Sequence, residues 1–381
     1  MKTRAAVTWG IGQEWKIEEI DLDPPKAGEV LVKMAAAGLC HSDEHVITGD
    51  MSVSHEMAIE LGMPPMFPII GGHEGAGVVV EVGPGVTTLQ PGDHVSASFV
   101  PACGRCHYCS TGRQNLCDAG AGAFQRGQIT DGTVRHHCRG HELNLLAKLG
   151  TFSEHTVCAE VSLIKVEPDL PLELVALVSC GVATGWGSAV VRANVSPGDT
   201  VVVVGIGGIG INAVQGAKMA GARHVIAIDP IEFKREAAME FGATHTFSSM
   251  ADAMAEVNTL SWGRMADKVI MTPGVMYGDL LAQGMDLVGK GGTCVVTAVA
   301  PMLQNTAALN LFQLTLWQKE IKGTIFGSLN PRSDIPKLLN LYRDGQLKLE
   351  ELITRRYTLD QINEGYQDMR DGKNIRGVIV F

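Results

Sequence analysis

Between Pro197 and Asp229 the chain reads as a strand, a glycine turn, a helix and a second strand. Thr200-Val-Val-Val-Val leads into Gly205-Ile-Gly-Gly-Ile-Gly, a helical stretch follows from about Ile209 to Ala220, and His224-Val-Ile-Ala-Ile-Asp closes the unit. Uninterrupted Val and Ile runs suit strands covered on both faces, and strand–helix alternation predicts a parallel, doubly wound α/β sheet. In such a unit Gly205 permits the tight turn and Gly207, with Gly208 beside it, lets a pyrophosphate approach the backbone. Gly210 lets helix and strand pack closely, and the helix N-terminus attracts the phosphates. Asp229 falls at the end of the second strand. A carboxylate there accepts from both ribose hydroxyls of NAD and repels the 2'-phosphate of NADP. Lys234 reads almost equally well as a ribose neighbour or as a surface lysine.

The rest of the chain has another texture. Residues 1 to about 180 read as short strands and Gly/Pro turns, for example Glu29-Val-Leu-Val-Lys-Met and Gly77-Val-Val-Val-Glu-Val-Gly-Pro-Gly-Val, so this part is expected to be β-rich. After about Gly323 the pattern turns mixed and ends in Ile375-Arg-Gly-Val-Ile-Val-Phe, a strand expected to return to the first part. A chain of 381 residues is long enough for two cores. The expected division is 1–181 with 325–381, and 182–324 inserted between them as the cofactor domain. A net charge of −10 without a basic face excludes nucleic acid as a partner. No apolar stretch reads as long enough to span a bilayer, so no membrane partner is expected and the address is cytoplasmic.

Nine cysteines, an odd number, suit metal ligands and buried thiols better than disulfides. Cys103, Cys106 and Cys109 are spaced Cys-x-x-Cys-x-x-Cys, and Cys117 follows. Four thiolates in so short a run surround one tetrahedral zinc with no open position, which makes a structural site in a lobe at about 101–119. Cys40, His73 and Cys180 are a different case. Two thiolates and an imidazole would neutralise a zinc ion and leave its fourth position open. Spacing alone does not assemble these three, and each taken singly is more often a core residue. His136, His137, Cys138 and His141 superficially offer another metal site and are read as loop residues with weak adventitious affinity. Cys158 and Cys294 are read as buried thiols in strands.

The run Gly72-His-Glu-x-x-Gly77, with Gly83 and Val86 after it, resembles the signature of zinc-containing medium-chain alcohol dehydrogenases. The four-cysteine lobe, the nucleotide motif and the order of these elements are similar to that family over essentially the whole chain. The resemblance implies a GroES-like β-rich catalytic domain and a doubly wound Rossmann domain, with two zinc ions and NAD(H) as cofactors. It places Cys40, His73 and Cys180 on the catalytic zinc, with Asp43 and Glu74 close behind them. It also implies a proton relay in which the Ser42 hydroxyl takes the substrate proton, the nicotinamide ribose passes it on, and His45 delivers it to solvent. His41 and Arg376 would face the cofactor pyrophosphate. Thr184 is read as a contact to the nicotinamide carboxamide and Phe99 as lining the substrate cleft, with simple packing as the alternative for both.

Pro101-Ala-Cys-Gly-Arg-Cys, Thr184-Gly-Trp-Gly-Ser-Ala, Asp229-Pro-Ile-Glu-Phe-Lys-Arg-Glu and Asp371-Gly-Lys-Asn-Ile-Arg-Gly-Val-Ile-Val are similar to the actinobacterial nicotinoprotein alcohol dehydrogenases. These depend on a nitroso acceptor in assay and are associated with mycofactocin. That likeness implies NAD(H) that stays bound and is recycled by an external redox acceptor, with a small-molecule alcohol or aldehyde as substrate. A conventional NAD-exchanging alcohol dehydrogenase, or one oxidising a thiol adduct of formaldehyde, is the alternative, and a non-catalytic cofactor-binding protein ranks below both. The stretch between Cys40 and His73 is longer than in the familiar liver-type enzymes. Its Met-rich segment at 51–66 reads as either a lid on the substrate cleft or a surface loop. An apolar run, Leu309-Asn-Leu-Phe-Gln-Leu-Thr-Leu-Trp, fits either an internal helix or an interface of a homodimer or homotetramer.

Overall fold

A computed structural model describes residues 1–120 and 126–381. The chain divides into two compact units, one of Met1–Cys180, Asn330–Tyr342 and Leu349–Phe381, the other of Gly181–Leu329 and Arg343–Lys348. Residues 325–329, expected with the catalytic domain, therefore cluster with the second unit, and 343–348 return to it.

In the first unit the central strand is Glu29–Gly38, buried along most of its length because both neighbouring faces are covered by apolar side chains. It pairs antiparallel with Gly75–Val82, with His155–Ala159 and with the C-terminal strand Arg376–Val380. The register matters more than the strand count. Ala37 lies opposite Gly75 and Gly38 opposite Val378, so the residues just beyond Gly38, just before Gly75 and at the start of the last strand gather at one end of the sheet. One core beside them packs Ala37, Leu39, Trp15, Phe152, Tyr357, Tyr366 and Ile379; a second packs Val30, Val32, Met34, Val79, Val95, Leu149 and Cys158. Burying each large apolar side chain contributes about 1.5–3 kcal/mol, so these clusters fix the strand ends firmly.

His136–Cys138 and His141–Glu142, read from sequence as loop residues, are instead paired as a small antiparallel hairpin. His136 is buried within it, and its pKa is pushed down to about 3 by that burial and by neighbouring cations. Its four candidate ligands do not converge. Cys158 and Cys294 are buried in strands, and burial pushes each thiol up to about 12.

The second unit is built on six parallel strands. Thr200–Val204, His224–Ile228, His245–Phe247, Ala266–Met271, Val288–Val296 and Glu320–Gly323 lie in the order third, second, first, fourth, fifth, sixth. This is the doubly wound dinucleotide-binding order. Thr200–Val204 is buried at every position, as its all-apolar run requires.

One expectation fails. Leu172–Arg192 is a 21-residue helix, long and apolar enough to cross a bilayer. Of its most apolar 18-residue stretch 89% is buried inside the protein, so apolar residues on all its sides are satisfied by protein packing. Two π-helical stretches, Val178–Val182 and Ser188–Arg192, interrupt its α-helical turns.

Candidate metal centres and nucleotide site

Two sets of side chains among the described residues converge closely enough to hold a metal ion: Cys40, His73, Glu74 and Cys180, and Cys103, Cys106, Cys109 and Cys117. Within each set the ligand atoms lie within 4.8 Å of one another.

The first set is the work of the strand register. Cys40 follows the end of Glu29–Gly38, His73 and Glu74 precede Gly75–Val82, and Cys180 sits in the π-helical stretch Val178–Val182, where the widened turn sets the direction of its side chain. All four are buried. His73 Nδ1 lies 3.0 Å from Asp43 Oδ2, an ion-pair contact that orients the ring although it is not an aligned hydrogen bond. Asp43 Oδ1 accepts from Gly72 N at 2.6 Å. His73 Nε2 and Glu74 Oε1 are buried and have no hydrogen-bond partner among the described residues. A buried imidazole nitrogen left unpaired beside two sulfurs is costly in an apoprotein and fits a borderline-soft cation such as zinc. The thiols point the same way. The side-chain hydrogen bond between the two sulfurs pulls Cys40 well below its usual range and pushes Cys180 well above its own. Burial raises Glu74 to about 7 against the pull of Arg376.

Arg376, expected at the cofactor pyrophosphate, is buried and ion-paired with Glu74 Oε2, and it donates to Leu39 O at 3.3 Å. Ser42 Oγ lies 3.9 Å from Cys40 Sγ at the partly exposed start of the helix His41–Thr48. His41 is exposed, with its ring 6.2 Å from that of His45. His45, expected to meet solvent, is only 3% exposed, and its Nδ1 lies 3.1 Å from Asp50 Oδ2. Asp50 escaped the sequence reading; the Thr48-Gly49-Asp50 turn, soon after the histidine expected in the relay, was the available signal. Phe99 meets His73 edge-on at 5.7 Å. The segment at 51–66 contains a short helix, His55–Glu60, and helps Trp9, Ile11, Gln13 and Phe67 line a cavity of about 520 Å³.

The second set is a self-contained lobe. Cys106 N donates to Cys103 Sγ, Cys109 N to Cys106 Sγ and Cys103 N to Cys117 Sγ, each at 3.4 Å. Backbone N–H groups aimed at sulfur stabilise thiolates, and those of Cys109 and Asp118 bring Cys106 down to about 7. Burial pushes Cys109 up to about 12. All nine cysteines are free thiols, and four converging sulfurs match a closed zinc site.

In the second unit Gly205 turns with φ 88°, in the left-handed region, and Thr272 Oγ1 donates to its carbonyl at 2.7 Å. A Cβ added at Gly207 would meet nothing within 4 Å, so the chain leaves open space where a pyrophosphate would approach; at Gly210 it would strike the Gly205 carbonyl. Gly208 O accepts from Asn212 Nδ2 at 2.8 Å. Asp229 is 5% exposed, and its two carboxylate oxygens accept from Ile206 N at 2.8 Å and Ile231 N at 2.9 Å. Those bonds fix the carboxylate and leave each oxygen further lone pairs. Lys234 is half-buried. The sequence reading missed Arg235, whose Nη1 donates to Asp229 O at 2.8 Å and Pro230 O at 2.9 Å. Thr184 Oγ1 is buried without a hydrogen-bond partner among the described residues.

Residues 26–168 match the alcohol dehydrogenase GroES-like domain and residues 208–344 the zinc-binding dehydrogenase family. The chain is 53% identical over 380 residues to an NDMA-dependent alcohol dehydrogenase of Amycolatopsis methanolica, covering 100% of this chain and 99% of the relative. It is 48% identical over 381 residues to alcohol dehydrogenase B of Mycobacterium tuberculosis, with 100% and 99% covered. The crystal structure of benzyl alcohol dehydrogenase from Acinetobacter calcoaceticus superposes with a TM-score of 0.89 at 30% identity, over 100% of this chain and 99% of that one. With a GroES-like part, a Rossmann-type part and full-length relatives of this kind, the chain belongs to the zinc-dependent alcohol dehydrogenase family and is an alcohol dehydrogenase.

Proposed function

We propose that this enzyme oxidises primary alcohols to aldehydes, or runs the reverse, at a zinc ion held by Cys40, His73 and Cys180, and that its NAD(H) stays bound and is reoxidised in place by an external acceptor. The observation that carries the reading is the buried set of two thiols and one unpaired imidazole nitrogen, flanked by Asp43 and by the Glu74–Arg376 pair. Zinc bound there would supply Lewis acidity toward the substrate hydroxyl, and a bound nicotinamide would supply a hydride acceptor. The chain's own groups do the rest. Asp43 orients His73, Ser42 Oγ takes the hydroxyl proton, and His45 receives it further along. The open side of Gly207 and the buried Asp229 hold the dinucleotide, and Thr184 Oγ1 offers a hydrogen bond to its carboxamide.

Cofactor retention is supported by the 53% identity to a protein named for dependence on NDMA. The second zinc belongs to the cysteine lobe, giving two per chain. Leu311, Phe312 and Leu316 stand exposed on the helix Leu311–Leu316, which suits association with a second copy in a dimer or tetramer. The cytoplasm is the expected address.

Quantifying the NAD(H) and zinc released on denaturing extensively desalted protein tests the reading. About one nicotinamide cofactor and two zinc ions per chain are expected, with benzyl or short aliphatic alcohols turning over only when a nitroso acceptor is added. Two zinc ions, no cofactor and steady turnover on free NAD would replace it with a conventional NAD-exchanging enzyme.

A further inference from the structure

The burial of His45 raises a question that the relay leaves open: what holds its ring in a state able to take a proton. The helix His41–Thr48 ends at Gly49, whose φ of 89° and ψ of 5° turn the chain back on itself. That turn returns Asp50 to the helix end, with Oδ2 3.1 Å from His45 Nδ1. The same oxygen accepts from Thr48 Oγ1 at 2.7 Å. Met51 N donates to His45 O at 3.0 Å and Ser52 Oγ to Val46 O at 2.7 Å, so the returning segment is pinned to the helix directly after the contact.

We propose that Asp50 is a positioning residue for proton release, holding His45 with its proton on Nδ1 so that Nε2 is the basic nitrogen, and facing the charge that forms on the ring. The inference rests on the Ser42-to-His45 route proposed above. A carboxylate only accepts hydrogen bonds, so the nitrogen beside it must be the donor and the lone pair lies on the other. In the step, the O–H bond of the donor hydroxyl breaks and a bond from Nε2 to that proton forms. The resulting imidazolium stands against the Asp50 carboxylate until the Nε2 proton leaves to water and the starting tautomer returns. Asp50 need not take the proton itself, just as the buried aspartate of a serine hydrolase triad does not. The Thr48 hydroxyl, followed by His45, holds the Asp50 carboxyl below the usual carboxylate range, so it is an anion at neutral pH.

The other charged groups on this helix are turned elsewhere. Asp43 lies against His73, and Glu44 Oε1 accepts from Arg370 Nη1 at 2.6 Å. The ring of His41 lies 6.2 Å from that of His45. Asp50 places a carboxylate on the Nδ1 side of the His45 ring, and its side chain is 22% exposed against 4% for the imidazole.

The test uses the holoenzyme with its bound cofactor, benzyl alcohol and a nitroso acceptor, and compares Asp50→Asn, Asp50→Glu, His45→Gln and the double variant Asp50→Asn/His45→Gln. An asparagine offers either an oxygen or an amide N–H to Nδ1, so it no longer enforces one tautomer. The expected result is a fall in kcat of roughly 10- to 100-fold for Asp50→Asn with KM little changed, less than the roughly 10²- to 10⁴-fold that loss of the acid–base group itself would cost. The solvent deuterium isotope effect should rise, and Asp50→Glu should recover much of the rate. The double variant should be no slower than His45→Gln alone, because Asp50 acts through that ring. If Asp50→Asn turns over like the parent while His45→Gln is slow, the proposal is overturned and the relay stands. Effects that multiply in the double variant would equally overturn it. Parent-like rates in both single variants would remove the His45 route itself, and the proposal with it. Should Asp50→Asn melt early, the isotope effect and the Asp50→Glu recovery, measured at low temperature, decide the outcome.

Discussion

The two metal-capable sets use similar ligand chemistry in opposite settings. The lobe draws all four sulfurs from Cys103 to Cys117, stabilises them with its own backbone N–H groups, and leaves Cys103 and Cys106 partly exposed. The buried set draws Cys40, His73 and Cys180 from a strand end, a loop and a helix, and all three are buried. Charge explains the pairing of each ligand set with its setting. Four thiolates around a divalent zinc leave two surplus negative charges, which need water and N–H dipoles nearby. Two thiolates and a neutral imidazole leave none, so this set tolerates full burial. The carboxylates beside it are then the added charges to be balanced: Arg376 pairs with Glu74, while Asp43 is held by Gly72 N and His73. A closed site can be specified by one short run, whereas an open one needs a fold around it to manage charge and keep water out.

The sharpest way to break this comparison is to remove one ligand from each set. Cys40→Ser should lower kcat by roughly 10³-fold or more, since Lewis-acid assistance is worth several kcal/mol. It should also remove about one zinc per chain, with melting changed far less. Cys103→Ser should do the reverse. It should lower stability by several kcal/mol, less than the free energy of metal binding to an isolated zinc-finger peptide, while turnover per folded chain stays within a few-fold. Zinc analysis, melting and active-site-normalised kcat on the same preparations distinguish the two patterns. Complete loss of turnover in Cys103→Ser protein that is still folded would mean that the lobe is not separable from the chemistry.

The comparison also accounts for what could be read from the sequence. The lobe was legible because its ligands share one run, and the Rossmann order was legible because Thr200–Val204 and the glycines after it repeat a local pattern. The buried set was not legible from spacing: Ala37 opposite Gly75 and Gly38 opposite Val378 are long-range registers, and only resemblance to a family joined Cys40, His73 and Cys180 beforehand. Asp50 was missed because its role depends on a left-handed turn at Gly49. Leu172–Arg192 was missed as a long apolar helix because Ser179, Gly181, Thr184 and Gly185 punctuate its apolar run, though packing buries them with the rest. The strand at His136–Cys138 likewise depends in part on partners distant in sequence, since Leu22 and Asp21 pair with His136 and His137.

Two smaller perturbations sharpen the comparison without removing a ligand. Asp43→Asn keeps the shape of the group beside His73 Nδ1 but removes its charge, and should weaken zinc binding at the buried set by roughly 10- to 100-fold, the usual loss when a ligand's orienting partner is changed. Competition with a chelator, read as loss of one zinc with the lobe still loaded, checks this. Equal loss from both sites would sink it.

Gly38→Ala should have the smallest effect. A Cβ at Gly38 would collide with Glu74 Oε2 and lie 2.9 Å from Arg376 Nη2, both buried ends of one ion pair. The pair cannot retreat into water, so either the strand shifts or Glu74 swings away from Arg376. Forcing a methyl into a packed site costs about 1–3 kcal/mol, to be read in the melting temperature. A Glu74 carboxylate that loses Arg376 is a worse buried anion and a better competitor for the metal's open position, so kcat should fall several-fold while zinc content is kept. Unchanged kcat together with the expected loss of stability would show that Arg376 serves only to neutralise Glu74, and that the charge balance around the buried set is a condition of its folding and not of its chemistry.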